Sequence, residues 1–133
     1  MKKKQLNQLK ADRKLSKLIL LGVKLDMSTF YRSLDVCVVP SLHEPHGLVQ
    51  IEAQSYGVAV IASNVPGMNE TLENGINALL FPPGDVKRLC ELAKIIHTDI
   101  RLRLALQKEA LENAKRFTSQ SYHDGLEACY EAL

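Results

Sequence analysis

The feature that most constrains this chain is a series of short apolar runs without polar alternation, each closed by a turn signal and followed by helical spacing. Lys17 to Leu21 stops at Gly22, Val36-Cys37-Val38-Val39 stops at Pro40-Ser41, and Ala78-Leu79-Leu80-Phe81 stops at Pro82-Pro83-Gly84. Between them lies Val58-Ala59-Val60-Ile61-Ala62. A strand with one wet face would alternate; these runs do not, so both of their faces must be covered. That pattern predicts four parallel strands with helices on either side, a Rossmann-like three-layer α/β/α domain with right-handed crossovers.

The intervening helices are marked by their ends. Asp26 can cap a helix through Thr29, Phe30 and Leu34. Gly47 to Tyr56 reads as a helix ended by Gly57, and residues 67–73 as a short one closed by Asn74-Gly75. Asp85 caps a helix with Val86, Leu89, Leu92 and Ile96 on one face. Another runs from about 100 to 116 with Leu102, Leu106, Ala110 and Ala114 aligned. Residues 118–131 form a last helix, and residues 3–14 an N-terminal one on a basic surface. At 133 residues this is one domain, residues 1–133.

Charge is uneven along the chain. Residues 1–32 hold nine Lys/Arg against two acids, whereas residues 33–86 hold six acids and no Lys or Arg. Aromatics are 5% and Trp is absent, so the basic stripe with interleaved aromatics of a nucleic-acid binder is missing. No apolar run approaches a bilayer span, and no apolar stretch follows the basic Met1-Lys2-Lys3-Lys4 start, so it does not read as a secretory signal. The Lys2-Lys3-Lys4 cluster is a solvated helix start or a contact with a membrane surface. Cys37, Cys90 and Cys129 have neither metal nor redox spacing, which fits free thiols in a reducing cytosol. Cys37 lies inside an apolar run and reads as core. His97 and His123 read as surface residues of helices.

Ligands on parallel sheets bind outside the strand C-termini, which singles out the loops. The loop Pro40-Ser41-Leu42-His43-Glu44-Pro45-His46 leads into a helix reading Gly47-Leu48-Val49-Gln50-Ile51-Glu52. The N–H groups of Gly47, Leu48 and Val49 would then be unpaired and face the crevice, an anion site strengthened by the helix dipole. Glu44 and Glu52 could flank the same ligand, one from the loop and one from the helix. Carboxylates accept hydrogen bonds from sugar hydroxyls. The pair alone is also compatible with a solvated loop acid and a helix-surface acid, or with the acid/base pair of a glycoside hydrolase. His43-Glu44-Pro45-His46 is not H-E-x-x-H, and Pro45 forbids the continuous helix that such a zinc site needs.

The stretch resembles the E-x-x-x-x-x-x-x-E signature of retaining glycosyltransferases with the two-domain GT-B fold, the group 1 type of bacterial capsule, exopolysaccharide and lipopolysaccharide synthesis. The flanks agree in order. Tyr31 to Ser41 resembles "Y-x-x-a-D-v-x-v-x-P-S", and Glu52 to Ser63 resembles "E-A-x-a-x-G-x-P-V-i-a-S". Gly67 and Glu70 resemble "g-G-x-x-E", and Asn74 to Leu80 resembles "n-G-x-x-G-x-L". His46, Ala59, Pro66 and Ala78 stand where the family often has Phe, Pro, Gly and Gly.

The resemblance implies that Glu44 contacts donor-sugar hydroxyls and favours the positive charge developing at the anomeric carbon. It implies that His46, Gly47, Leu48 and Val49 lie along the sugar and diphosphate, that Glu52 binds the ribose, and that Gly22 and Val23 lie near the nucleobase. The expected donor is a UDP- or GDP-sugar and the acceptor a saccharide hydroxyl, with no cofactor or metal. The expected place is the cytoplasm, at the inner face of the membrane. Members of the family are much longer, with an N-terminal acceptor domain and donor-domain opening strands that carry an Arg and a Lys for the diphosphate. The resemblance begins after those strands, at about residue 15. A companion chain supplying the acceptor domain is therefore an expected partner, and the alternative function is a non-catalytic split or truncated module. Of this chain's own cations, Lys17, Lys24 and Arg32 are the candidates to face the diphosphate, since a helix terminus carries only about half an elementary charge.

Overall fold

The computed structural model describes residues 17–132. The expected helix over 3–14 and the Lys2-Lys3-Lys4 cluster lie outside them. In order the elements are α1 (Met27–Arg32), β1 (Val36–Val39), α2 (Leu48–Ser55), β2 (Ala59–Ser63), α3 (Pro66–Asn69), β3 (Leu79–Phe81), α4 (Val86–Thr98), α5 (Ile100–Ala114) and α6 (Ser119–Glu131). The three strands pair in parallel in the order β1-β2-β3. The register sets Val36 opposite Ala59 and Ile61 opposite Leu79.

Burial explains the unalternating sequence. Every residue of central β2 is buried. Val60 and Ala62 pack with Tyr31, Cys37, Val39, Ala53, Met68 and Leu72 on one face. Ala59 and Ile61 pack with Leu79, Phe81, Leu92, Ile96 and Leu106 on the other. Helices therefore cover both faces, as the sequence predicts. The caps also stand where expected: Asp26 accepts from the Thr29 N–H at 3.1 Å, and Asp85 from the Arg88 N–H at 2.9 Å.

One strand does not form. Residues 18–22 run as coil, with Ile19 73% exposed. A strand exists only as a partner in a ladder, and β1, paired on one side with β2, is the edge of the described sheet. Apolar composition marks Lys17–Leu21 as able to be a strand, but it does not pair with the open edge of β1. Among the described residues no helix is long and apolar enough to cross a membrane.

Candidate donor-binding site

The site sits beyond the C-terminal end of β1, where the chain turns through residues 40–47 into α2. Glu44 is half-buried there, and its carboxylate reaches forward to the chain it precedes. The Gly47 N–H donates to Glu44 Oε1 at 3.0 Å, and Ser41 Oγ lies 3.5 Å from Oε2. This corrects the expectation of three free amides. Gly47 is taken by Glu44, because a side chain three residues upstream is at capping distance. Leu48 and Val49 open α2, where N–H groups have no intrahelical acceptor, and no described residue bonds them.

Two glycines make the turn possible. Gly47 has φ 72°, the left-handed region, and a Cβ on it would overlap the Gln50 side-chain amide. Gly67 opens α3 directly beneath the loop, and a Cβ there would overlap the Glu44 carbonyl oxygen and Pro45. His46 extends outward, with Nδ1 3.9 Å from the Glu70 carboxylate.

Glu52 lies on the second turn of α2 and is exposed. It is held from α1. Tyr31, 2% exposed, donates its hydroxyl to Glu52 Oε2 at 2.8 Å. The Tyr31 ring is fixed between Phe30, 5.4 Å away and tilted, and Tyr56, 5.6 Å away and stacked. Burial, then the bond to Glu52, push the Tyr31 hydroxyl far above the usual tyrosine range. Arg32 lies over the Tyr56 ring at 5.7 Å. Burial likewise raises the Cys37 thiol, which suits its place in the core.

The structure thus brings Glu44, His46, Gly47, Leu48, Val49 and Glu52 together around the first two turns of α2. It does not bring in Gly22 and Val23, which lie in the coil before α1; Val23 is 91% exposed and no described hydrogen bond joins either to α2. Sequence reasoning missed Tyr31 as the partner of Glu52, although the residue was legible as the start of a motif. It also missed Arg116. A cleft of about 570 Å³ runs beside the opening of α2, lined by His46, Leu48 and Ile51 on one wall and by Arg116, Phe117 and Tyr122 on the other. None of Lys17, Lys24 and Arg32 lines it.

A parallel α/β layer whose loop acid and helix amides meet past a strand C-terminus has the build of a phosphate- and sugar-binding domain. More narrowly, the chain belongs to the group 1 glycosyl transferases, whose family pattern matches residues 1–99. It is 33% identical over 101 residues to a D-inositol 3-phosphate glycosyltransferase of Saccharomonospora viridis, covering 76% of this chain and 23% of that one. It is also 33% identical over 111 residues to the capsular polysaccharide biosynthesis glycosyltransferase CapM of Staphylococcus aureus, covering 81% of this chain and 29% of that one. Its fold matches the crystal structure of Anabaena HepE in complex with UDP at TM-score 0.91 and 25% identity, over 98% of this chain and 36% of that one. Sucrose-phosphate synthase from Thermosynechococcus elongatus matches at TM-score 0.86 and 29% identity, over 97% and 33%. The chain thus spans about a quarter of the length of the curated relatives it matches.

Proposed function

We propose that this chain is the donor-binding portion of a retaining glycosyltransferase of surface polysaccharide synthesis. It would bind a nucleoside diphosphate sugar whose glycosyl unit passes to a saccharide hydroxyl. The observation that carries the reading is the meeting of Glu44 with the opening of α2, while Tyr31 holds Glu52 one turn further on. In this reading the Leu48 and Val49 N–H groups face the diphosphate or sugar, and Glu44 offers its carboxylate where positive charge develops at the anomeric carbon. Glu52 accepts from the ribose hydroxyls. A diphosphate carries more charge than a helix terminus offsets. Arg116 supplies further positive charge from the facing wall of the cleft. Neighbours solved with UDP and UDP-glucose support a uridine nucleotide as the first ligand to try. The acceptor domain comes from a companion chain or from further sequence, and the reading places the assembly at the inner face of the cytoplasmic membrane.

Calorimetry with UDP and GDP tests the binding half. Glu52→Ala is expected to weaken nucleotide affinity at least about tenfold, the loss of a charged hydrogen bond. Equal affinity in the two proteins refutes the ribose contact. With an acceptor domain supplied, Glu44→Ala is expected to abolish transfer while the fold persists; transfer at the wild-type rate would remove Glu44 from the mechanism. Binding without any transfer under those conditions would favour the non-catalytic module.

A further inference from the structure

The buried side of α2 carries two amides beside Ile51 and Ala53, where apolar residues alone would bury more simply. Gln50 and Gln54, one turn apart, are each 0% exposed. Buried amides are costly unless bonded, and these are bonded outward. Gln50 Nε2 donates to the His46 carbonyl at 3.2 Å and to Thr71 Oγ1 at 3.1 Å. Thr71 Oγ1 donates onward to the Met68 carbonyl at 3.2 Å. Asn113 Nδ2, arriving from α5, donates to the Thr71 carbonyl at 2.8 Å and to Gln54 Oε1 at 2.7 Å. Gln54 Nε2 closes the set on the Asn77 carbonyl at 2.9 Å.

We infer that Gln50 and Thr71, braced by Asn113 and Gln54, are positioning residues that fix the Glu44–Gly47 loop. His46 lies between Glu44 and Gly47, so a bond to its carbonyl sets the turn that aims both. The same loop also rests on Gly67, which has no room for a Cβ under Glu44 and Pro45. The orientation of the Gln50 amide is itself telling. Its Oε1 is buried without a partner, while its Nε2 has two. Flipping the amide would set Oε1 against the His46 carbonyl, acceptor to acceptor. This orientation keeps the amide donor on the loop. Because the donors on the loop side are directional and buried, they hold the loop more narrowly than apolar packing would.

The functional meaning of this device rests on the donor-site reading, but its geometry does not. Thr71→Val keeps the shape and removes the hydroxyl; Thr71→Ser keeps the hydroxyl and removes a methyl. Both are compared with wild type by hydrogen exchange at the Gly47 amide, which Glu44 holds, and by UDP calorimetry. The expectation is that Thr71→Val speeds Gly47 exchange and weakens UDP binding, each by about fivefold or more, with Thr71→Ser close to wild type in both. Gln50→Leu should match Thr71→Val. Unchanged Gly47 exchange in Thr71→Val overturns the inference. So does Thr71→Ser losing as much as Thr71→Val, since volume rather than the hydroxyl would then matter. If wild type binds no UDP, the donor-site reading fails, and the exchange comparison alone still decides whether the loop is held this way.

Discussion

Removing one hydroxyl, in Tyr31→Phe, separates the holding of Glu52 from its presence. The ring stays between Phe30 and Tyr56, so the apolar packing of a side chain only 2% exposed is kept. What goes is the 2.8 Å bond to Glu52 Oε2. A hydrogen bond to a charged group contributes about 1.5–3 kcal/mol when both partners are buried. Glu52 is exposed, and water re-solvates its carboxylate, so the loss should be nearer 1 kcal/mol, or roughly 4 °C in Tm for a domain this size. An effect of similar size should fall on binding. A freed Glu52 must be re-ordered by the ligand at about 1 kcal/mol, which is roughly fivefold in affinity. Urea unfolding and UDP calorimetry on wild type, Tyr31→Phe and Glu52→Ala measure both. If Glu52→Ala loses affinity while Tyr31→Phe keeps it, the claim that Tyr31 positions Glu52 is wrong. The same pair has a pH signature. Unfolded tyrosine ionises near pH 10, and burial beside Glu52 raises Tyr31 above that when folded. Its contribution is therefore complete below about pH 10 and is lost as pH rises further, since only the unfolded chain releases the proton there. Tyr31→Phe should lose stability less steeply than wild type above pH 10.

Other substitutions test the scaffold. Gly67→Ala should cost about 1–3 kcal/mol, since the new methyl meets the backbone of Glu44 and Pro45. Gly125→Ala, in α6 with open space around it, should stabilise by up to about 1 kcal/mol. Thermal unfolding compares the two, and equal effects would contradict the close approach at Gly67. Asp99 accepts from the Leu102 N–H at 2.9 Å, so Asp99→Ala and Asp85→Ala should each cost about 1 kcal/mol by urea titration. Sitting at opposite ends of α4, the two losses should add within about 0.5 kcal/mol. Asp85 caps α4 and Asp99 caps α5, so a double mutant far outside that sum would mean that the two helices unfold together.

Much of the fold was legible because its signals are local. The apolar runs of β1, β2 and β3, the aspartate caps at residues 26 and 85, and the break at Gly57 each depend on neighbours within a few positions, whereas the short helix expected over 67–73 ends at Asn69 rather than at Asn74-Gly75. Glu44 and the start of α2 could be read for the same reason, since a loop acid and the next helix are joined by the chain itself. Even so, the free amide expected at Gly47 is spent on Glu44, because a sequence lists donors and acceptors without saying which of them are near enough to bond.

The sequence by itself determined the layer order, the parallel sheet and the place of the signature loop, through periodicity and capping that act over three or four residues. Only the tertiary structure decided that Tyr31 holds Glu52, that Asn113 reaches Thr71 and Gln54, and that Arg116 faces the cleft beside Leu48. Those partners stand 21 to 59 positions apart in the hydrogen-bonded pairs and are brought together by the packing of the helices on the sheet. Lys17–Leu21 shows the same limit: strand propensity is written in the residues, but whether a run joins the ladder beside the open edge of β1 is decided by the fold.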